Sequence, residues 1–503
     1  MDSRQRLLIS IAVMAATVMQ VLDTTIVNVA LPHMEGQLGA SPDQISWVLT
    51  SYLVASAIFM PLTGYFTDRL GRRNYLLLSI GGFVISSMLC GLSFNIGEIV
   101  VARLMQGVFG AALVPLSQAI MVDVYPIEER GKAMAIWGLG VMVGPILGPT
   151  LGGYLTQVLS WRWTFFVNLP VGILSLVLAL RYVPDTPRRE RRMDWTGFAL
   201  LSAMIGALQF LLDRGNQDGW FSSNTIRISA FIAIFGLVGF IVHALQGPRQ
   251  ALFRLGLFRD RNFTVASVVL AIFGLGMYGS MVLQPLMLES LFHYPALTTG
   301  FAMDPRGVVS AISMILVGRL ITRVSGRALI LLGIALSAAG SFAMTGYDLH
   351  MGLFTVIWPV LIQGLGLGMI YVPLSTIAFS TLRRDDAAEA AGLFSLMRTI
   401  GSSIGISIIT TALTQQTQVA WNQIGGFINP FNPALSGYLS GLGLHSQSLA
   451  GAAILTRTLA RQASMRGFID GFMLVTISFG FMAPLVLLLS GRPSKDGAAI
   501  VGE

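Results

Sequence analysis

Two residues stand where charge is expensive. Asp23 lies inside an apolar run that begins at Leu7, and Arg103 lies inside another that begins at Ile99. An ionised side chain at the centre of a bilayer costs on the order of 3 kcal/mol or more, so one that is kept there marks proton or substrate coupling. Asp23 stands about two and a half turns in from Pro32, and Arg103 about one and a half turns into its own run. At about 1.5 Å per residue the two reach comparable depths, so an ion pair between them is geometrically allowed. Bland readings stay open beside this one: Asp23 capping an unwound turn with Thr24 and Thr25, and Arg103 bonding only to nearby backbone.

Further charges lie at similar depth. Arg306 follows Asp304 and Pro305, and local neutralisation by Asp304 is as open as a functional role. Arg398 falls about two turns from the end of its run, close enough for its long side chain to reach water. Between two other runs, Gly64, Asp68, Arg69, Gly71, Arg72 and Arg73 form a short polar link. Its expected role is a gate, with Asp68 bonding to a neighbouring helix end or arginine; a plain solvated turn is the alternative. Gly140, Gly144, Gly148 and Gly152 recur every four residues and line one helix face, with Pro145 and Pro149 shaping the helix. That face is expected to form a close, bendable contact between two halves of the molecule.

Several chemistries are excluded by what is missing. No GxxxxGK[ST] run is present, and with Lys132 and Lys495 as the only lysines neither serves a phosphate loop. His33, His243, His293, His350 and His445 form no metal-ligand spacing, and Cys90 is the sole cysteine. The expectation is therefore a protein that is not an enzyme, with no metal and no cofactor.

The elements that must position these residues follow from composition. Of 503 residues, 54% are hydrophobic and 11% charged, with a mean hydropathy of +0.72, which excludes a soluble enzyme or a nucleic-acid binder and implies a lipid bilayer as the main partner. Stretches of about 20 apolar residues, enough to cross a bilayer, recur fourteen times. The predicted spans are 7–31, 47–66, 75–94, 99–121, 133–155, 163–183, 195–212, 226–245, 265–288, 299–320, 328–347, 353–382, 391–413 and 468–490. The net charge of +8 is unevenly placed. If the N-terminus is inside, only Arg162, Arg214, Arg227, Arg457, Arg461 and Arg466 fall outside, and Arg103, Arg306 and Arg398 fall within spans; the positive-inside rule then puts both termini in the cytoplasm. The first run has no cleavage pattern after it and reads as a retained helix. One long outer loop, 414–467, contains an amphipathic stretch over 446–466 that predicts a helix lying against the outer surface.

An internal repeat accounts for the span count. Gly64, Asp68, Arg69, Gly71, Arg72 and Arg73 are echoed by Gly318, Thr322, Arg323, Gly326 and Arg327 at an offset of 254. Gln106, Gly107 and Pro115, Leu116, Ser117 recur as Gln363, Gly364 and Pro373, Leu374, Ser375. Both echoes shift the chain by eight spans, as two six-helix halves separated by two extra helices would. The predicted organisation is a first half over 1–185, two inserted helices over 186–262 and a second half over 263–503. Val360 stands where Arg103 would recur, which confines coupling chemistry to the first half.

The polar link at 64–73 resembles the loop signature of the major facilitator superfamily, and Gly144, Pro145, Gly148, Pro149, Gly152 and Gly153 resemble its antiporter signature. The run from Leu22 to Pro32 (LDTTIVNVALP), with Trp161 to Gly172 (WRWTFFVNLPVG), Asp194 to Gly197 and Leu211 to Phe221, is similar to the fourteen-helix drug:proton antiporters of the EmrB and QacA type. The resemblance covers essentially the whole chain. It implies an all-α membrane protein of the major facilitator fold, with spans arranged six, two, six. It implies a secondary exporter of lipophilic drugs, driven by the proton gradient, in the bacterial inner membrane, often working with a periplasmic adaptor and an outer-membrane channel. It also places Asp23, Asn28, Arg103 and Gln106 in coupling or substrate contact. An exporter of one metabolite and an uncoupled facilitator of the same fold are the alternatives.

Overall fold

A computed structural model describes residues 2–126, 129–190, 192–246, 252, 255–321, 323–383, 386–429, 432–441 and 448–489. Fourteen helices among them are long and apolar enough to cross a membrane. They are span 1 (Arg4–Leu31), span 2 (Gln44–Leu70), span 3 (Arg72–Leu92), span 4 (Ile96–Val124), span 5 (Arg130–Val158), span 6 (Trp163–Tyr182) and span 7 (Trp195–Arg214). Span 8 (Asn224–Leu245), span 9 (Arg261–Ser290), span 10 (Leu297–Leu320), span 11 (Gly326–Gly346), span 12 (Leu353–Ala378), span 13 (Ala387–Gly425) and span 14 (Leu449–Val486) complete the set. No strand occurs among the described residues. Lipid cannot hydrogen-bond to a backbone, so a chain this apolar satisfies its amides within helices.

Local chemistry sets where helices start and break. Ser41 and Gln44 form a reciprocal capping box ahead of span 2, and Asn95, Asp194, Asp260 and Ser325 accept from backbone amides at the starts of spans 4, 7, 9 and 11. Span 2 passes through a 3-10 turn at Met60–Leu62, where Pro61 lacks an amide donor. Span 6 is two segments, Trp163–Phe166 and Asn168–Tyr182, with Pro170 in the first turn of the second. Span 1 is unbroken through Asp23, as part of a helix over Ser3–Leu38, so Asp23 caps no unwound turn.

Each half is a bundle of six. Span 1 packs on spans 5 and 6 and span 2 on span 4, while span 9 packs on spans 13 and 14 and span 10 on span 12. The inserted spans 7 and 8 pack on each other, and span 7 also touches spans 2 and 13. Contact between the halves runs through span 5 against spans 10 and 12, and through spans 2 and 4 against span 13. Fourteen alternating spans bring the first and last described residues to one side, the terminal face.

The long outer loop departs from its expected form. Span 13 has 39 residues and span 14 has 38, about 58 and 57 Å of helix against a hydrocarbon core of about 30 Å. Both continue past the bilayer on the side opposite the terminal face and pack on each other: a Cβ on Gly467 would lie 2.3 Å from Thr417 Oγ1 and one on Gly425 3.6 Å from Leu459. Between them sits a short helix, Pro433–Ser440. Leu455, Leu459 and Ala463, spaced by four, are buried, so the apolar stripe read as membrane-facing covers the paired helix instead. The part of that stretch at 446–447 lies outside the described residues.

Candidate functional site

Asp23 is fully buried and its carboxylate is the centre of a network drawn from five spans. Arg103 donates from Nη1 to Asp23 Oδ2 at 2.6 Å. Oδ1 accepts from Gln106 Nε2 and from Asn168 Nδ2, each at 2.9 Å. Arg103 Nη1 also reaches Gln106 Oε1 at 2.7 Å, and its Nε donates to the Val48 carbonyl at 2.9 Å. The guanidinium lies over the Tyr52 ring, 4.5 Å from its centroid, with Phe165 at 5.7 Å. Ser87 ties the third span in, accepting from Asn168 at 3.0 Å and donating to the Phe165 carbonyl at 2.9 Å. Span 1 thus supplies the acid, span 4 the cation and Gln106, span 6 Asn168, and spans 2 and 3 the walls.

Such a site can hold or release a proton with mechanical consequence. The carboxylate is acceptor-only while ionised, and each bond named here ties span 1 to another helix, span 4 or span 6. Protonating it removes the counter-charge from a buried guanidinium, and breaking one side of a buried pair is costly, on the order of 3–5 kcal/mol. Asp23, Arg103 and Gln106 are brought together as expected; Asn28 is not, being exposed on another face of the same helix. Asn168 is a member the sequence reading did not single out, although its run WRWTFFVNLPVG had been noted. The one amide side chain in the apolar run of span 6 was the available signal.

The glycine ladder meets a different partner from the one expected. Cβ atoms at Gly144, Gly148 and Gly152 would lie 2.6 Å from the Val21 backbone, 2.1 Å from Thr25 Oγ1 and 2.8 Å from the Ile26 carbonyl, while Gly140 faces Met14 at 3.6 Å. All four residues contacted are on span 1, so the ladder clamps two helices of the same half. Thr25 also donates to the Gly144 carbonyl at 2.9 Å. The seam between halves uses another face of span 5. There Gly138 meets Met314, Ile146 meets Gly307 and Thr150 meets Gly300, all on span 10. Pro149 continues the helix between these faces, and the Pro145 side chain lies outside the described ones. The ladder recurs in the second half, where Gly401 and Gly405 of span 13 face Ala271 and Leu275 of span 9.

Several contacts of the polar link between spans 2 and 3 lie within its own half. Arg72 pairs with Asp123 at the end of span 4, Arg73 lies 3.9 Å from Asp185, and Arg69 donates to the Tyr65 hydroxyl at 3.1 Å. The Asp68 carbonyl accepts from the Arg189 amide at 2.7 Å. Gly71 needs its φ of +81°, and a Cβ there would strike Asp185 Oδ1 at 2.4 Å. Gly64 reaches the second half: its Cβ would sit 2.9 Å from Cβ of Glu389, and Gly392 answers against the Met60 carbonyl at 2.9 Å. Thr322, the repeat counterpart of Asp68, lies outside the described residues, as do Arg191, Arg249, Arg254, Arg384, Arg492 and Lys495 of the charge argument.

The remaining charges are rearranged relative to expectation. Asp304 does not neutralise Arg306; it accepts from Thr150 Oγ1 at 3.0 Å across the seam between halves. Arg306 is buried and bonds to Gln284, and to Ser280 at 3.4 Å. Arg398 is half-buried, about 17 Å into its helix, and its charge faces Tyr371 and Tyr278; Tyr371 in turn stacks on Trp137 of the first half at 5.9 Å. Among the described residues no His, Cys, Asp and Glu cluster has the geometry to hold a metal.

The Major Facilitator Superfamily model matches residues 13–406. The chain belongs to the major facilitator superfamily, within its fourteen-helix EmrB-type family. It is 36% identical over 476 residues to the multidrug export protein EmrB of Escherichia coli (strain K12), covering 93% of this chain and 91% of that protein. It is 34% identical over 478 residues to the fatty acid resistance protein FarB of Neisseria gonorrhoeae, covering 94% of each. The solved proton:xylose symporter XylE shares the fold, with a TM-score of 0.62 at 14% identity over 97% of this chain and 100% of that one. The protein is accordingly a multi-pass membrane transporter of this superfamily.

Proposed function

We propose that this protein exports hydrophobic drugs and other toxic lipophilic compounds from the cytoplasm or inner leaflet, exchanging them for protons by alternating access. The observation that carries the reading is the buried Asp23 carboxylate held by Arg103, Gln106 and Asn168. The names of the EmrB relatives support multidrug export, and the uneven arginine distribution supports termini in the cytoplasm of a bacterial inner membrane.

In this account a proton entering from outside neutralises Asp23 and leaves Arg103 held by Gln106 Oε1, the Val48 carbonyl and the Tyr52 ring of span 2. Span 1 then loses its ion pair with span 4 at Asp23, while Ser117 and Ser175 still donate to the Val13 and Ala12 carbonyls nearer the terminal face. Because the ladder of span 5 grips span 1, and the opposite side of span 5 runs along span 10, a shift of span 1 bears on the seam between halves. The cavity opens inward, substrate enters, and the proton leaves to the cytoplasm before the return step. Each proton supplies about 2.3 kcal/mol per 100 mV, enough for roughly a fiftyfold gradient before any pH term. No cofactor beyond that gradient takes part, and the helical hairpin beyond spans 13 and 14 stands ready for a periplasmic adaptor and outer-membrane channel.

The test is accumulation of a fluorescent lipophilic dye in inside-out vesicles energised with a proton gradient. Accumulation that disappears when a protonophore collapses the gradient supports antiport; uptake that persists points to an uncoupled facilitator.

A further inference from the structure

The second half contains a buried polar cluster that repeats the Asp23 network with one group missing. Gln363 stands at the repeat position of Gln106. Gln106 bonds to Asp23 in span 1, and Gln363 accepts from Ser280 in span 9 at 3.2 Å; both pairs are separated by 83 residues. Gln363 also donates to Ser341 of span 11 at 2.8 Å, as the first-half glutamine meets Cys90 of span 3 at 3.6 Å. The cation has changed helix. Val360 replaces Arg103 in span 12, but Arg306 of span 10 takes the place of Tyr52, the residue beneath the first guanidinium. Tyr52 and Arg306 stand 254 residues apart, the offset of the loop motif. The packing agrees, since a Cβ on Gly107 would lie 2.5 Å from the Tyr52 carbonyl and one on Gly364 2.5 Å from that of Arg306.

The second cluster therefore keeps its arginine and glutamine and has a serine where the first has its carboxylate. Arg306 is 6% exposed, it donates from Nη2 to the neutral Gln284 and Ser280, and its Nε has no hydrogen-bond partner among the described residues. Among the described residues no carboxylate lies within ion-pair distance of it, Asp304 being engaged with Thr150. A guanidinium enclosed by neutral groups inside a membrane is strongly unfavourable, and a bound anion removes the imbalance. The cluster also adjoins the seam: the next residue, Gly307, abuts Ile146 of the first half.

We propose that Arg306, Ser280, Gln284 and Gln363 form a monoanion-binding site, in which the ligand occupies the place that the Asp23 carboxylate fills in the first half. Its occupant is the carboxylate of a lipophilic substrate or a chloride ion. Arg306 supplies the charge and, through its unpartnered Nε, a donor to the ligand's oxygens or to the halide; the Ser280 hydroxyl adds a neutral donor once it turns from Gln363 to the ligand. The proposal deepens the exporter reading by naming a substrate class, but it is tested without a gradient, so its failure leaves the question of coupling untouched.

Full-length protein in lipid nanodiscs at about pH 8 would be equilibrated with radiolabelled laurate, with laurate methyl ester, and separately with radiolabelled chloride. Arg306→Gln keeps hydrogen-bonding capacity and removes the charge; Ser280→Asp keeps the arginine and supplies the missing carboxylate. Laurate binding weakened about tenfold or more in both variants, with the ester unchanged, assigns the site to the substrate carboxylate. Chloride binding lost in both variants with laurate unchanged assigns it to the halide. Unchanged binding of both anions in either variant, each shown folded by an ordinary thermal unfolding transition, would overturn the proposal.

Discussion

Asp23 and Arg103 came together because depth can be counted. Two residues a known number of helical turns from the ends of their runs have a roughly calculable height in the membrane, and the long arginine side chain spans the remaining difference to make the 2.6 Å contact. Asn168 escaped the same treatment because its height depends on the break at Val167, which periodicity does not register. The Asp304–Arg306 reading failed for a related reason. Residues two apart on a helix point in different directions, and Asp304 turns to the seam while Arg306 turns inward. At this scale, Asn168→Ala strips a donor from a buried carboxylate and should destabilise the protein by about 1–3 kcal/mol. Cys90→Ala removes only a weak contact and should cost under about 1 kcal/mol. Thermal unfolding midpoints of the two purified variants check the ordering, and equal midpoints would remove Asn168 from the network.

Among elements, the period-four glycines of span 5 announced a close helix neighbour without saying which one. The partner is span 1, and the two sides of span 5 divide the work: one grips the helix that bears Asp23 and the other forms the seam with span 10. Gly148→Ala would set a methyl group 2.1 Å from Thr25 Oγ1, whereas nothing lies within 4 Å of a Cβ at Gly480. Overpacking of this kind costs about 1–3 kcal/mol. Gly148→Ala should therefore lower the unfolding temperature and reduce dye export severalfold, with Gly480→Ala matching the wild type in both. Normal export by Gly148→Ala would show that the grip on span 1 is not needed. The outer loop misled for a similar reason, because an amphipathic stripe reveals that one face is covered and not whether lipid or another helix covers it.

For the molecule as a whole, the fourteen spans and their repeat were legible from hydropathy and from two echoes eight spans apart. What the echoes did not reveal was that the arginine of the second cluster is on span 10, at the repeat position of Tyr52, because Val360 stands at the repeat position of Arg103. On the terminal face the halves meet through Gly64 against Glu389, Gly392 against Met60, and Arg130, which donates to the Phe379 carbonyl at 3.4 Å. Alternating access requires this contact to part. Cysteines placed at Gly64 and Glu389, whose Cβ positions adjoin, should oxidise to a disulfide, and the only native cysteine, Cys90, is buried and does not compete. Export should stop on oxidation and return on reduction; transport that continues in the cross-linked protein would mean that this end does not open.

The claim that Asp23 carries the proton exchanged for substrate is tested most directly by proton release on binding. Purified protein in weakly buffered detergent would be mixed with a saturating lipophilic drug while the pH is recorded. The account predicts release of up to about one proton per drug bound by the wild type, and none by Asp23→Asn, with drug binding retained. Release by Asp23→Asn equal to that of the wild type would contradict it and move the coupling site elsewhere in the chain.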